Sequence, residues 1–225
     1  MRSVGEPKQQ PNEVKIMNVR IALIHALSHS VAPINHDLHT HWPQARVMNL
    51  LDDSLSADLA QSVDGLNAAM TQRFLTLSDY AVATGAQGIL FTCSAFGPCI
   101  DAVAQRHAPM PVLKPNEAMV ADAVAMGLPV GLVASFAPTL RSMPPEFPEG
   151  ALCAGELAEG ALDALNAGDT GLHDRLVVEA ALRAQASGAK VIALAQFSMA
   201  RAEALVAQHT GLPVLTTVSS AVAAL

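Results

Sequence analysis

The chain has 225 residues, 51% of them hydrophobic, with a formal net charge of −7 and a pI near 5.5. That apolar fraction supports one large domain or two small ones. The acidic balance and scarce aromatics (one Trp, one Tyr, six Phe) argue against nucleic acid as a partner, and no apolar run reaches the roughly 18 residues of a membrane span.

Residues 1–17, "MRSVGEPKQQPNEVKIM", read as a flexible polar extension without the apolar centre of a signal peptide. "VRIALIHAL" is a continuous apolar run of the kind buried in a parallel sheet, and "ARVMNLLD" is a second. A helical stretch is expected from about Asp58 to Thr84, then a strand at "GILFT" and a helix from about Phe96 to His107. "MPVLK" is a strand, and Asn116 is placed to cap a helix that ends near Gly127. "LPVGLVAS" opens a second series. After the Pro-rich loop "RSMPPEFPEG", helices are expected at about Gly155–Asn166 and Asp169–Ser187. "KVIALA" and "LPVLTT" are the last strands, and "SSAVAAL" is a short closing helix. Strand and helix alternate throughout, which implies parallel sheets with helices on both faces.

The chain also repeats itself. "GAQGILFTCSAFG", from Gly85, and "GAKVIALAQFSMA", from Gly188, align at an offset of 103 residues. Each continues into a helix containing Val-Ala-Gln and then Pro-Val-Leu. The expected fold is therefore α/β, with two pseudo-symmetric half-domains, each a mostly parallel four-stranded sheet flanked by helices. The first half would span 18–117, with 217–225 as a helix able to complete it, and the second 118–216. Ligands of open α/β sheets bind outside the carboxyl ends of the strands, so the site is expected in the cleft between the halves. Four strand ends, "HALSHS", "TCSAFG", "ASFAPT" and "AQFSMA", would face it.

Cys93 ends one of those strands and precedes a helix. A lone cysteine is commonly a small buried residue, but a helix N-terminus lowers a thiol's pKa and exposes a thiolate. The offset places Gln196 at the matching position of the second half. Ser94, Ser135, Thr139 and Ser198 lie in turns where hydroxyls and backbone amides cap helices or hold a carboxylate. His25 ends the first strand and is a further site candidate. In "HDLHTHW", His36, His39 and His41 have no third ligand type nearby, and the better reading is a partly solvated helix rather than a metal site. Lys114 could form a Schiff base, but Pro115 and Asn116 suggest an ordinary turn. No phosphate- or dinucleotide-binding glycine motif follows a strand. Cys93, Cys99 and Cys153 show no paired spacing, so the expected compartment is the cytoplasm, with reduced thiols. The apolar composition makes a homo-oligomer, a dimer or larger, the expected state.

The paired halves, with "TCSAFG", "VGLVASFAPTLRS" and "LAQFSMAR", resemble the aspartate/glutamate/hydantoin racemase superfamily, which also includes maleate isomerases and arylmalonate decarboxylases. The resemblance runs from about Val19 to the end. It implies an enzyme without cofactor or metal that acts at the α-carbon of a small carboxylate. The family's racemases use two cysteines facing across the cleft, one per half. Cys93 matches the first, and Gln196 stands where the second would be. His25 falls near a position often held by aspartate. Ser94 with its neighbour Ala95, and the Ser135–Thr139 turn, match carboxylate-holding loops. Phe136 falls where the decarboxylases carry a tyrosine. Gln196 is no acid or base near neutral pH, so racemisation, single-cysteine decarboxylation, cis–trans isomerisation and simple carboxylate binding all stay open at this point.

Overall fold

The computed structural model describes residues 19–224; the N-terminal extension read from sequence lies outside them. In chain order the strands are β1 (Arg20–His25), β2 (Arg46–Leu51), β3 (Gly88–Phe91), β4 (Val112–Leu113), β5 (Val130–Ala134), β6 (Leu152–Leu157), β7 (Val191–Leu194) and β8 (Val214–Thr216). The helices are α1 (Val31–His41), α2 (Ser54–Gln61), α3 (Ala68–Ala83), α4 (Gly97–His107), α5 (Glu117–Ala125), α6 (Ala137–Ser142), α7 (Ala161–Asn166), α8 (Thr170–Ala186), α9 (Glu203–Thr210) and α10 (Thr217–Ala223).

Two four-stranded parallel sheets form, with orders β2-β1-β3-β4 and β6-β5-β7-β8. The order is the same in both, and β3 and β7 begin 103 residues apart, as the repeat requires. The central strands β5 and β7 are buried at every residue and β1 at all but its first, because helices cover both sheet faces. The glycines that start the repeat, Gly85 and Gly188, both sit at positive φ, 90° and 107°. Each turns the chain out of a long helix into a sheet, a conformation that disfavours a Cβ.

Three local expectations needed correction. The helix expected over 58–84 is two helices, α2 and α3. Gly65 breaks it at φ 72°, and the Asn67 side chain accepts from Met70 N–H to start α3. Within the helix expected from Gly155, the first residues belong to β6. Ala, Glu and Leu in "LCAGEL" favour helix, but this edge strand completes the ladder of β5, its Cys153 bulging out as the register shifts between Val130 and Gly131. Asn116 does precede α5, yet its side chain makes no cap bond and donates instead to Glu146 at 3.3 Å.

Cores lie on both faces of each sheet. One cluster packs β1 and β3 against α2, α3 and α4 through Ile24, Leu55, Phe74, Phe91, Phe96 and Ile100. Another packs β7 against α8 through Val177, Ala181, Ala184 and Ile192. The opposite face of the first sheet is closed by α1 and α10: Ile21, Leu23 and Leu90 meet Ile34, Leu38, Val218 and Ala221. The alanine-rich helix α8 comes close to its sheet because Gly131 has no side chain. A Cβ there would lie 2.8 Å from the Cβ atoms of both Ala184 and Ala189. Gly131→Ala is therefore expected to destabilise the fold by about 1–3 kcal/mol, the usual cost of overpacking a tight core. Chemical denaturation reads this, and an unchanged midpoint would contradict it.

Candidate active site

Each of the four strand ends turns through one extended residue before its helix. These residues are Leu27 (φ −150°, ψ 128°), Cys93 (−127°, 114°), Phe136 (−127°, 111°) and Gln196 (−140°, 141°). All four line one small cavity, together with Ser30, Ser56, Thr92, Ser94 and Leu162. The pseudo-symmetry sets two apolar residues, Leu27 and Phe136, beside a thiol, Cys93, and an amide, Gln196. The cavity measures about 20 Å³.

Cys93 is half-buried, and burial pushes its thiol up to about 11, against a smaller opposing pull from the Ala95 N–H. The lowered pKa expected from the turn is thus reversed. The turn is a three-residue 3₁₀ segment, and its backbone offers too little positive potential to offset the loss of water around a thiolate. The group is a thiol at neutral pH. The Ser56 hydroxyl donates to Ala26 O at 2.7 Å, which pins α2 over the sulfur.

Gln196 is buried, and its side chain closes back on its own half. Its Oε1 accepts from Ser135 N–H at 2.5 Å and from the Ser135 hydroxyl at 3.3 Å. Because a backbone N–H can only donate, the oxygen of the amide must face Ser135, and the NH₂ group is left toward the cavity. Ser94 lines the cavity and shares a hydrogen bond with Thr139 across the cleft at 3.2 Å, and Ser142 reaches Ser94 O at 3.3 Å. Ala95 is buried beneath the turn. Ser135 and Thr139 stand behind the cavity wall rather than in it, and Ser198 is buried with its hydroxyl unpartnered among the described residues.

His25 is fully buried and does not line the cavity. Its Nδ1 lies 2.7 Å from Thr92 Oγ1 and its Nε2 lies 2.9 Å from Asn49 Oδ1. The proton positions follow from the outer end of this chain. Asn35 Nδ2 must donate to Val31 O at 2.7 Å, which orients the Asn35 amide. Asn35 and Asn49 then pair reciprocally at 2.9 and 3.2 Å, which leaves Asn49 Oδ1 to accept from His25 Nε2–H. Burial lowers the His25 pKa below 6.5 against the Asn49 bond, so the ring is neutral. Nδ1 is unprotonated and accepts from Thr92. Thr92 has spent its one hydrogen and offers the cavity only lone pairs.

The sequence profile of the Asp/Glu/Hydantoin racemase family matches residues 29–225. The chain belongs to the Asp/Glu/hydantoin racemase family. Solved structures agree in fold. Glutamate racemase isoform RacE1 from Bacillus anthracis is 11% identical, with a TM-score of 0.72 over 92% of this chain and 79% of that one. Allantoin racemase from Klebsiella pneumoniae is 18% identical, with a TM-score of 0.68 over 92% and 85%. A Gly74Cys mutant of arylmalonate decarboxylase is 15% identical, with a TM-score of 0.62 over 89% of each chain. No curated protein matches by sequence.

In this racemase-family chain, sequence reasoning missed Leu27, Ser30, Ser56, Thr92 and Leu162 on the cavity wall. Thr92, Leu27 and Ser30 lie inside the quoted strand ends "TCSAFG" and "HALSHS" and could have been singled out there. Ser56 and Leu162 come from helices α2 and α7, far away in sequence. Lys114 pairs with Asp101 at 2.6 Å and Glu117 at 3.8 Å, an ordinary surface arrangement. Among the described residues, no group of three or more His, Cys, Asp or Glu is placed to hold a metal ion, and no helix is long and apolar enough to cross a membrane.

The buried rings carry a pH signature. His25 and His173 both have pKa values lowered below 6.5, chiefly by burial. The unfolded chain then binds more protons than the folded one as pH falls through 6.5 toward the folded-state values, so stability is lost in that window and is full above it. The urea midpoint should drop between pH 7.5 and 5.5. Glu146, whose carboxyl burial raises above 4.5, works in the opposite sense, so the His173 part is read as the difference from a His173→Gln variant. Equal slopes in the two proteins would refute it.

Proposed function

We propose that the chain is a cofactor-independent enzyme acting at the α-carbon of a small carboxylate, with the Cys93 thiol moving a proton at one face of that carbon. The observation that carries this reading is the meeting of four strand-end residues around one cavity, where Cys93 is the one side chain on the wall able to exchange a proton near neutral pH. Gln196 on the opposite half can hold and orient, through its free NH₂ group, but cannot take or give a proton.

The chemistry is that of an enediolate. Negative charge built up on the carboxylate oxygens is stabilised by donors already in place. Those around the cavity are the Gln196 amide, the Ser30 and Ser94 hydroxyls and the backbone N–H groups of the turn at Ser94–Phe96. The Sγ–H bond breaks as a C–H bond forms on the α-carbon, leaving a thiolate. When the enediolate comes from C–H cleavage, a thiolate has taken the α-proton to become the thiol, and the same group then returns a proton to the carbon. When it comes from loss of carbon dioxide, the thiolate is reprotonated by solvent. The high thiol pKa favours the second route, since the group then starts each cycle as an acid. Symmetrical racemisation would need a second acid on the Gln196 side.

The test is incubation in D₂O with a panel of amino acids, hydantoins and substituted malonates. One deuterium is expected at the α-carbon in a single configuration. Absence of incorporation from every compound, with Cys93→Ala behaving as wild type, would leave carboxylate binding without chemistry.

A further inference from the structure

A cavity of about 20 Å³ has room for about one water molecule. It cannot take even a small carboxylate, so the structure is a closed state and something must move. Two larger hollows lie outside it, of about 370 and 410 Å³. Phe136 and Leu162 line both hollows and the inner cavity as well. As the two side chains common to all three spaces, they form the partition between the Cys93 cavity and the larger hollows.

We propose that Leu162, carried on α7, is the moving half of a gate closed against Phe136, and that this pair sets how large a group can reach Cys93. Phe136 is fixed at the end of β5, where it packs against the core of the first half. α7 is different. It is six residues long, and glycines at positive φ flank it, Gly160 at 76° and Gly168 at 80°. Such residues absorb backbone rotation at hinges. Its inner face is held by Ala161, Ala164 and Leu165 and by His173, whose Nδ1–H donates to Ala161 O at 2.9 Å. Its far end is tied across the cleft to the first half by one exposed bond, His29 Nε2–H to Asn166 Oδ1, at 2.9 Å. An exposed hydrogen bond contributes little net free energy, so it works as a latch that can open. Swinging α7 outward would join the inner cavity to both hollows and let a substrate's α-substituent lie between Phe136 and Leu162.

That a substrate passes this gate rests on the function proposed above; the gate itself is tested without turnover. The three cysteines supply internal controls, because Cys153 is exposed, Cys99 is fully buried and Cys93 lies behind the partition. Alkylation at one pH is followed by peptide mass spectrometry, with iodoacetamide as the small reagent and N-ethylmaleimide as the larger. For Leu162→Ala, the Cys93 rate relative to Cys153 should rise at least tenfold, more with N-ethylmaleimide than with iodoacetamide, while Cys99 stays protected. The surface variant His29→Ala, which touches no core, should raise it severalfold. The proposal is overturned if both variants leave the Cys93 ratio within twofold of wild type, or if Cys93 and Cys99 become reactive together, which would mean general loosening. A working gate with no exchange in D₂O would leave this inference standing and remove the catalytic one.

Discussion

Replacing Cys93 with alanine is expected to lower kcat/KM by about 10²–10⁴-fold, the usual contribution of one general acid or base. Cys99→Ala and Cys153→Ala should change it little, since neither residue lines the cavity. The pH profile tells the two directions of proton transfer apart. With a thiol held up at about 11, a reaction limited by the thiol as acid stays level from pH 7 to 10 and declines above 11. A reaction limited by the thiolate as base climbs about tenfold per pH unit over that range. Retention of more than a tenth of wild-type activity in Cys93→Ala would move the chemistry to another group.

Gln196→Cys should have the second large effect, on stereochemistry. It places a thiol on the side of the cavity wall that lacks one, at a turn whose backbone angles match those of Cys93. Where wild-type protein exchanges the α-proton of a chiral substrate or decarboxylation product, it should do so without inverting it. The variant should invert it, at a rate within about a hundredfold of exchange, because a general acid contributes on that scale. Gln196→Ala is the control, as both substitutions release the Ser135 N–H. If Gln196→Cys still exchanges but inverts no faster than Gln196→Ala, the assignment of opposed faces is wrong.

Much of the fold could be read from sequence because buried parallel strands are continuous apolar runs. "RIALIH", "VGLVA" and "VIAL" announce themselves, and the repeat orders them. The edge strand β6 did not, since half of its residues face away from the core and its composition favours helix. The site was legible where the chain repeats. Aligning the two "Gly-Ala" starts pairs Cys93 with Gln196 from sequence alone. What could not be read depends on distance in space. Burial around the sulfur decides that Cys93 is a thiol rather than a thiolate. His25 turns toward Asn49 and Thr92 rather than toward the cavity, a choice set by the pairing of β1 with β2 and β3. Leu162 carries no signature at all, being one leucine among many until α7 is folded onto the cleft.

The packing of α10 bears on the order of assembly during synthesis. Val218 and Ala221 fill the face of the first sheet beside Ile21, Leu23 and Leu90, and Val19 and Ala224 line one and the same hollow at its base. A ribosome delivers β1 first and α10 last. The earlier-made half therefore keeps the part of that apolar face that α1 leaves open uncovered until the later-made half has emerged and α10 follows it. A chain cut short before Val218 would therefore hold both halves with the first one partly open.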